Sequence, residues 1–101
     1  MNRNMLKQAQ QLQQRLVKMQ EELEHATVEA SAGGGAVKVV ATGKQRITSI
    51  KIDPAAVDPQ DVSVLEDMVL AAVNDAMDKA VEMANQKMSS VTGGMKIPGL
   101  M

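Results

Sequence analysis

The spacing of apolar side chains changes twice along this chain, and those changes constrain its fold more than any other feature. Met5, Ala9, Leu12, Leu16, Met19, Leu23 and Ala26 are separated alternately by four and three residues. They form one stripe along a helix predicted from about Asn4 to Ala26. From Thr27 the period falls to two. TVEAS, then AVKVVA after Gly33-Gly34-Gly35, then RITSIKI after Thr42-Gly43-Lys44, predict three short strands joined by hairpins. Asp53-Pro54 closes this meander. A second helix is expected to open at Asp58-Pro59, with Asp58 as N-cap and proline at the first helical position, and to run to about Met88. Val62, Leu65, Val69, Ala72, Val73, Ala76, Ala80 and Met83 make its apolar stripe, with Asp67, Asp75, Asp78 and Glu82 opposite. Residues 1–88 therefore read as a single α+β domain of order α-β-β-β-α, a small antiparallel sheet with two long helices. Residues 89–101, rich in turn formers, read as a flexible C-terminal tail.

Such a fold must build its core without rings. The 101 residues include no Phe, Trp or Tyr and nine Met, so Val, Ile, Leu, Ala and the adaptable Met fill the interior. The same absence removes base stacking, on which most single-strand and RNA readers depend. With no Cys, disulfides and thiolate chemistry are excluded. No apolar run approaches the ~18 residues of a membrane span, and the N-terminus has no signal-like apolar region, so a cytoplasmic protein without a membrane partner is expected. A three-stranded sheet covered on one face leaves the other face and an edge open, and both helices outrun the strands. A homodimer answers both problems. Val37, Val39, Ile47, Ile50 and Ile52 are candidates for core or interface, and alternation alone does not separate the two.

Catalytic constellations are absent. His25 is the only histidine, and no nucleophile–base–orienter set assembles around it. Glu21 and His25 stand four apart, but one such pair without a second ligand cluster reads as a solvated helix end. The Gly33-Gly34-Gly35 run lacks the Lys-Ser/Thr ending of a phosphate loop and lies between strands. Neither a cofactor, a metal nor a small-molecule substrate is expected, and the chain does not read as an enzyme.

Charge is more informative. The net charge of −1 conceals segments of opposite sign. Residues 1–20 carry Arg3, Lys7, Arg15 and Lys18 with no acid, and residues 36–52 carry Lys38, Lys44, Arg46 and Lys51 with no acid. Residues 53–82 hold eight acids against Lys79 alone. On a helical wheel the four cations of the first helix cluster roughly opposite its seam. The helix dipole favours acids early and cations late. The second helix obeys that rule, but the first has Arg3 and Lys7 early and Glu21, Glu22 and Glu24 late. Local helix stability does not explain that order; a binding role for the cations does, and an ordinary solvated face is the alternative reading.

Lys7-Gln8-Ala9-Gln10-Gln11, Met19-Gln20-Glu21-Glu22-Leu23, Val37-Lys38-Val39, Ile52-Asp53-Pro54, Leu65-Glu66-Asp67, Ala72-Val73-Asn74-Asp75-Ala76 and Gly93-Gly94-Met95-Lys96-Ile97-Pro98-Gly99 follow one another in that order. This ordered set covers nearly the whole chain and closely resembles the YbaB/EbfC family of bacterial nucleoid-associated proteins. The resemblance implies a tweezers-like α-β-β-β-α homodimer that binds duplex DNA with little sequence preference and organises or bends it in the nucleoid, with a role in gene expression. Arg3, Lys7, Arg15 and Lys18, joined by Lys44 and Arg46, are the candidate DNA contacts. A different class of function, a dimeric helical-arm module that holds a protein partner without touching DNA, uses the same seam.

Overall fold

The structure, a computed structural model, describes residues 2–92. The chain runs through helix α1 (Arg3–His25), strands β1 (Thr27–Ala32), β2 (Val37–Thr42) and β3 (Ile47–Ile52), a short 3-10 turn (Pro54–Ala56) and helix α2 (Val62–Thr92). The order is the α-β-β-β-α read from the hydrophobic period. α1 begins where Asn2 places its side-chain oxygen 2.9 Å from the Met5 amide, satisfying one of the amides left over in the first turn. It ends at Ala26, whose extended backbone leads directly into β1.

The three strands form one antiparallel sheet in the order β1-β2-β3. Gly33, Gly34 and Gly35 all hold φ between 65° and 94° in the first hairpin, a left-handed region that side chains resist. In the second hairpin Gln45 takes that conformation (φ 61°), while Gly43 serves a different need. Gly43 is buried against the end of α1, and its amide donates to the Ala26 carbonyl at 3.1 Å. A β-bulge follows Val40, since Val40 pairs with Ser49 and Ala41 with Ile47.

Alternation sends Val37, Val39 and Ala41 of β2, with Ala30 of β1, to one face, where they meet Ala72, Ala76 and Ala80 of α2. The small alanines let the helix lie close over β1 and β2. Val37 and Val39, candidates for core or interface, are fully buried. Ile47 packs half-buried against the core, whereas Ile50 and Ile52 on the same face are 47% and 38% exposed. α2 does not reach across them.

Two expectations need correction. α2 opens at Val62 and not at Asp58-Pro59, because Asp58 is committed to a turn. Its carboxylate accepts from the Gln60 amide at 2.9 Å, and its carbonyl accepts from the Asp61 amide at 3.0 Å. A local turn of this kind competes with helix initiation. Asp53-Pro54 behaves alike, with the Asp53 side chain capping the 3-10 turn through the Ala55 amide. At its other end α2 continues through Thr92, past the expected limit near Met88. Ser89 and Ser90 are weak helix formers but not breakers, so the helix carries through them. Thus 89–92 of the expected tail are helical, and 93–101 lie outside the described residues.

Candidate nucleic-acid interface

Beyond the sheet, the last turns of α2 run antiparallel to α1. Lys79 Nζ donates to the Glu29 carbonyl at 3.1 Å, and eight residues later Lys87 Nζ lies 3.8 Å from Glu22 of α1. Buried Met19 and Leu23 mark where the α1 seam is covered; Leu12 and Leu16 are half-buried, while Met5 is 60% exposed. The two helices therefore form an arm whose outer part, among the described residues, is α1 alone. They contribute to a molecule measuring 70 × 26 × 16 Å.

Between them lies a cleft of about 340 Å³ lined by Arg15, Lys18, Met19, Glu22, Lys87, Ser90 and Val91. Met19 and Val91 supply the apolar part of the lining. Arg15, Lys18 and Lys87 supply three positive charges against Glu22 alone. Among the described residues Arg15 and Lys18 have no ion-pair partner. A cleft with this balance and an open mouth accepts an anion the size of a backbone phosphate, and its Arg offers a forked donor.

The other expected contacts are distributed around this cleft. Arg3 and Lys7 sit exposed at the free end of α1, so from Arg3 to Lys18 the cations extend about 22 Å along the axis at 1.5 Å per residue. Lys44, in the second hairpin, donates its ammonium to the Gln20 side chain. Gln20 lies roughly 160° around the helix from Lys18, so Lys44 adds charge to the opposite flank. Arg46 is exposed in the same hairpin, its carbonyl accepting from the Thr42 amide at 2.8 Å. Arg15 and Lys18 are thus brought together, Lys44 and Arg46 form a neighbouring group at the base of the arm, and Arg3 and Lys7 stand apart at its tip.

The acidity of α2 hides Lys87 as a site residue in the sequence. A signal was present: the acids of α2 stop at Glu82, and Lys87 follows alone. Among the described residues no group of three or more His, Cys, Asp or Glu is placed to hold a metal ion, and no helix is long and apolar enough to cross a membrane.

A family model described as the YbaB/EbfC DNA-binding family matches residues 1–95. The chain belongs to that family. It is 57% identical over 96 residues to a nucleoid-associated protein of Pelotomaculum thermopropionicum, covering 95% of this chain and 91% of the relative. It is 58% identical over 97 residues to a nucleoid-associated protein of Thermoanaerobacter sp., covering 96% and 87%. Its fold is that of an uncharacterized Helicobacter pylori protein of known crystal structure, with a TM-score of 0.68 at 17% identity, covering 94% of this chain and 97% of that one.

Proposed function

We propose that this protein is a nucleoid-associated homodimer that binds duplex DNA through backbone phosphates, with little sequence specificity, and thereby organises or bends it. The observation that carries this reading is the cleft where Arg15 and Lys18 of α1 meet Lys87 of α2, in a member of a DNA-binding family. Arg3, Lys7, Lys44 and Arg46 extend the contact along and around the arm. No ring is available to stack on a base, so affinity comes from phosphate and sugar contacts, which carry no sequence information. The protein performs no chemistry on the DNA and requires no cofactor. Its place is the nucleoid, within the cytoplasm.

The dimer rests on a separate observation. Leu65, Val69, Leu70 and Val73 line an almost wholly apolar hollow on one flank of α2. Ile50 and Ile52 are exposed on the sheet face that α2 only partly covers. A second copy laid over this flank and β3 buries both. Lys79 already caps the far edge at the Glu29 carbonyl, which directs pairing away from β1.

A gel shift with random duplex at several salt concentrations tests the reading. With about six phosphates neutralised, log K falls against log salt with a slope of roughly −5. Lys7→Ala and Arg15→Ala should each flatten that slope by about one unit and weaken all duplexes alike. Asp75→Ala and Asp78→Ala should leave binding unchanged or slightly tighter. If the two α1 variants bind like wild type while a Lys44/Arg46 double substitution abolishes binding, the arm is not the site. No duplex binding at any salt would instead favour the helical-arm module, for which the exposed Met5 and Leu6 of α1 are the natural contact.

A further inference from the structure

The sheet has a second face, which neither core nor cleft uses. Residues of outward parity are Glu29 and Ser31 on β1, Lys38 and Val40 on β2, and Ser49 and Lys51 on β3. The register places Ser31 opposite Lys38, and Lys38 directly opposite Lys51, in one continuous row across all three strands. The neighbouring row is Glu29, Val40 and Ser49. Glu29, Lys38, Val40, Ser49 and Lys51 together line a shallow hollow of about 230 Å³.

A pair of like charges directly opposite on adjacent strands is unfavourable. Here no ion pair among the described residues relieves it. Both lysines are exposed, and among the described residues neither side chain has a hydrogen-bond or ion-pair partner. Glu29 is the one acid lining the hollow and forms no ion pair with either. The body of the molecule is also polarised. Asp67, Asp78 and Glu82 lie on the side of α2 away from the sheet, while the other layer presents Lys38 and Lys51. A polyanion is repelled on one side of this two-layer body and attracted on the other.

We infer that the open face of the sheet is a second phosphate-contact surface for duplex DNA, with Lys38 and Lys51 as its register-locked cation pair. This rests on the duplex-binding reading above and adds a site on a different layer from the arm. Two ammonium groups on adjacent strands, with the Ser31 and Ser49 hydroxyls beside them, present the donor types that phosphate and sugar oxygens receive in protein–DNA complexes. An acidic peptide is a poorer fit, since the hollow offers Val40 as its only apolar lining residue and no pocket for an anchoring side chain.

The test compares the intact protein with Lys38→Thr/Lys51→Thr, which keeps strand-forming residues, using a random duplex titrated at several salt concentrations. The double variant should flatten the salt slope by about two units per engaged protomer and weaken binding roughly tenfold or more at 0.1 M salt. Its Tm should equal or exceed wild type, because a like-charge pair is removed. Lys38→Arg/Lys51→Arg should bind like wild type. Glu29→Gln, which leaves the strand shape unchanged, should tighten binding about twofold or more. A folded Thr/Thr variant with wild-type affinity and slope overturns the proposal, as does a Glu29→Gln variant that binds no more tightly. Either result leaves the arm as the DNA site if Arg15→Ala/Lys18→Ala still weakens binding. Absence of duplex binding by wild type overturns the DNA reading itself, and this surface with it. Polyglutamate bound through Lys38 and Lys51, with duplex affinity unaffected by the Thr/Thr variant, assigns the face to acidic proteins and overturns it too.

Discussion

Gly43 and Gln45 sit two residues apart in one hairpin and illustrate opposite mismatches between residue type and position. A Cβ on Gly43 would fall 2.6 Å from Leu23 Cδ2 and 3.1 Å from the Leu23 carbonyl oxygen. The side chain can shift, but the carbonyl belongs to a helix and moves only with it. Gly43→Ala should therefore destabilise the protein by about 1–3 kcal/mol, measured by urea denaturation with unchanged m-value. Gln45 holds φ at 61°, a conformation that suits glycine, and its side chain is exposed. Gln45→Gly should raise stability by up to about 1 kcal/mol, seen as a higher midpoint in the same measurement. Neither effect was legible in the sequence. The Thr42-Gly43-Lys44 turn reads from its glycine, but which residue takes the left-handed conformation depends on the bulge, and the demand on Gly43 comes from a helix twenty residues earlier.

At the scale of elements, α1 is a helix with two different ends. Its last turns bury Met19 and Leu23 at 3% and 5% exposure, while the first turns expose Met5 and Leu6 at 60% and 50%. An isolated helix shorter than about 12–15 residues is marginal in water, so turns without a packing partner lean entirely on the rest of α1 for their stability. Hydrogen exchange of the free protein should show protection rising along α1, lowest from Met5 to Gln11 and highest from Met19 to Leu23. Uniform protection along the helix would mean that the tip is covered. Arg3 and Lys7 lie on the least supported turns, so DNA binding should slow exchange there most. The heptad spacing predicted the helix correctly because periodicity depends on local geometry alone. It did not reveal where cover ends, since that depends on how far α2 reaches alongside.

For the whole molecule, one flank joins apolar surface from two elements. Leu65, Val69, Leu70 and Val73 of α2 and Ile50 and Ile52 of β3 share the flank that the second copy is proposed to bury. Ile50→Asp should leave the secondary structure intact and convert a dimer to a monomer at micromolar concentration in analytical ultracentrifugation. A wild-type 10.8 kDa species under those conditions would sink the dimer. The chain as a whole also forgoes the ~1–3 kcal/mol per base that aromatic stacking gives single-strand binders. Duplex should accordingly outcompete single strands of equal length in filter-binding competition, and efficient displacement of duplex by single strands would contradict that.

The sequence by itself determined the element order, the strand boundaries to within a residue and the sign of each charged segment. These follow from periods of 3.5 and 2 and from side-chain type, quantities that a linear chain already carries. It left Val37, Val39, Ile47, Ile50 and Ile52 as one undivided group, because all share the same alternation. Only the lateral placement of α2 over β1 and β2 buried the first two and left the last two open. Likewise, Lys38 and Lys51 are thirteen residues apart in the chain, and nothing local states that they face each other. Strand register did that, through hydrogen bonds whose alignment depends on the second hairpin and on the bulge after Val40. Lys87 joined Arg15 and Lys18 for the same kind of reason: α2 continues past the sheet, and only packing against α1 turned an isolated lysine into the third side of a cleft.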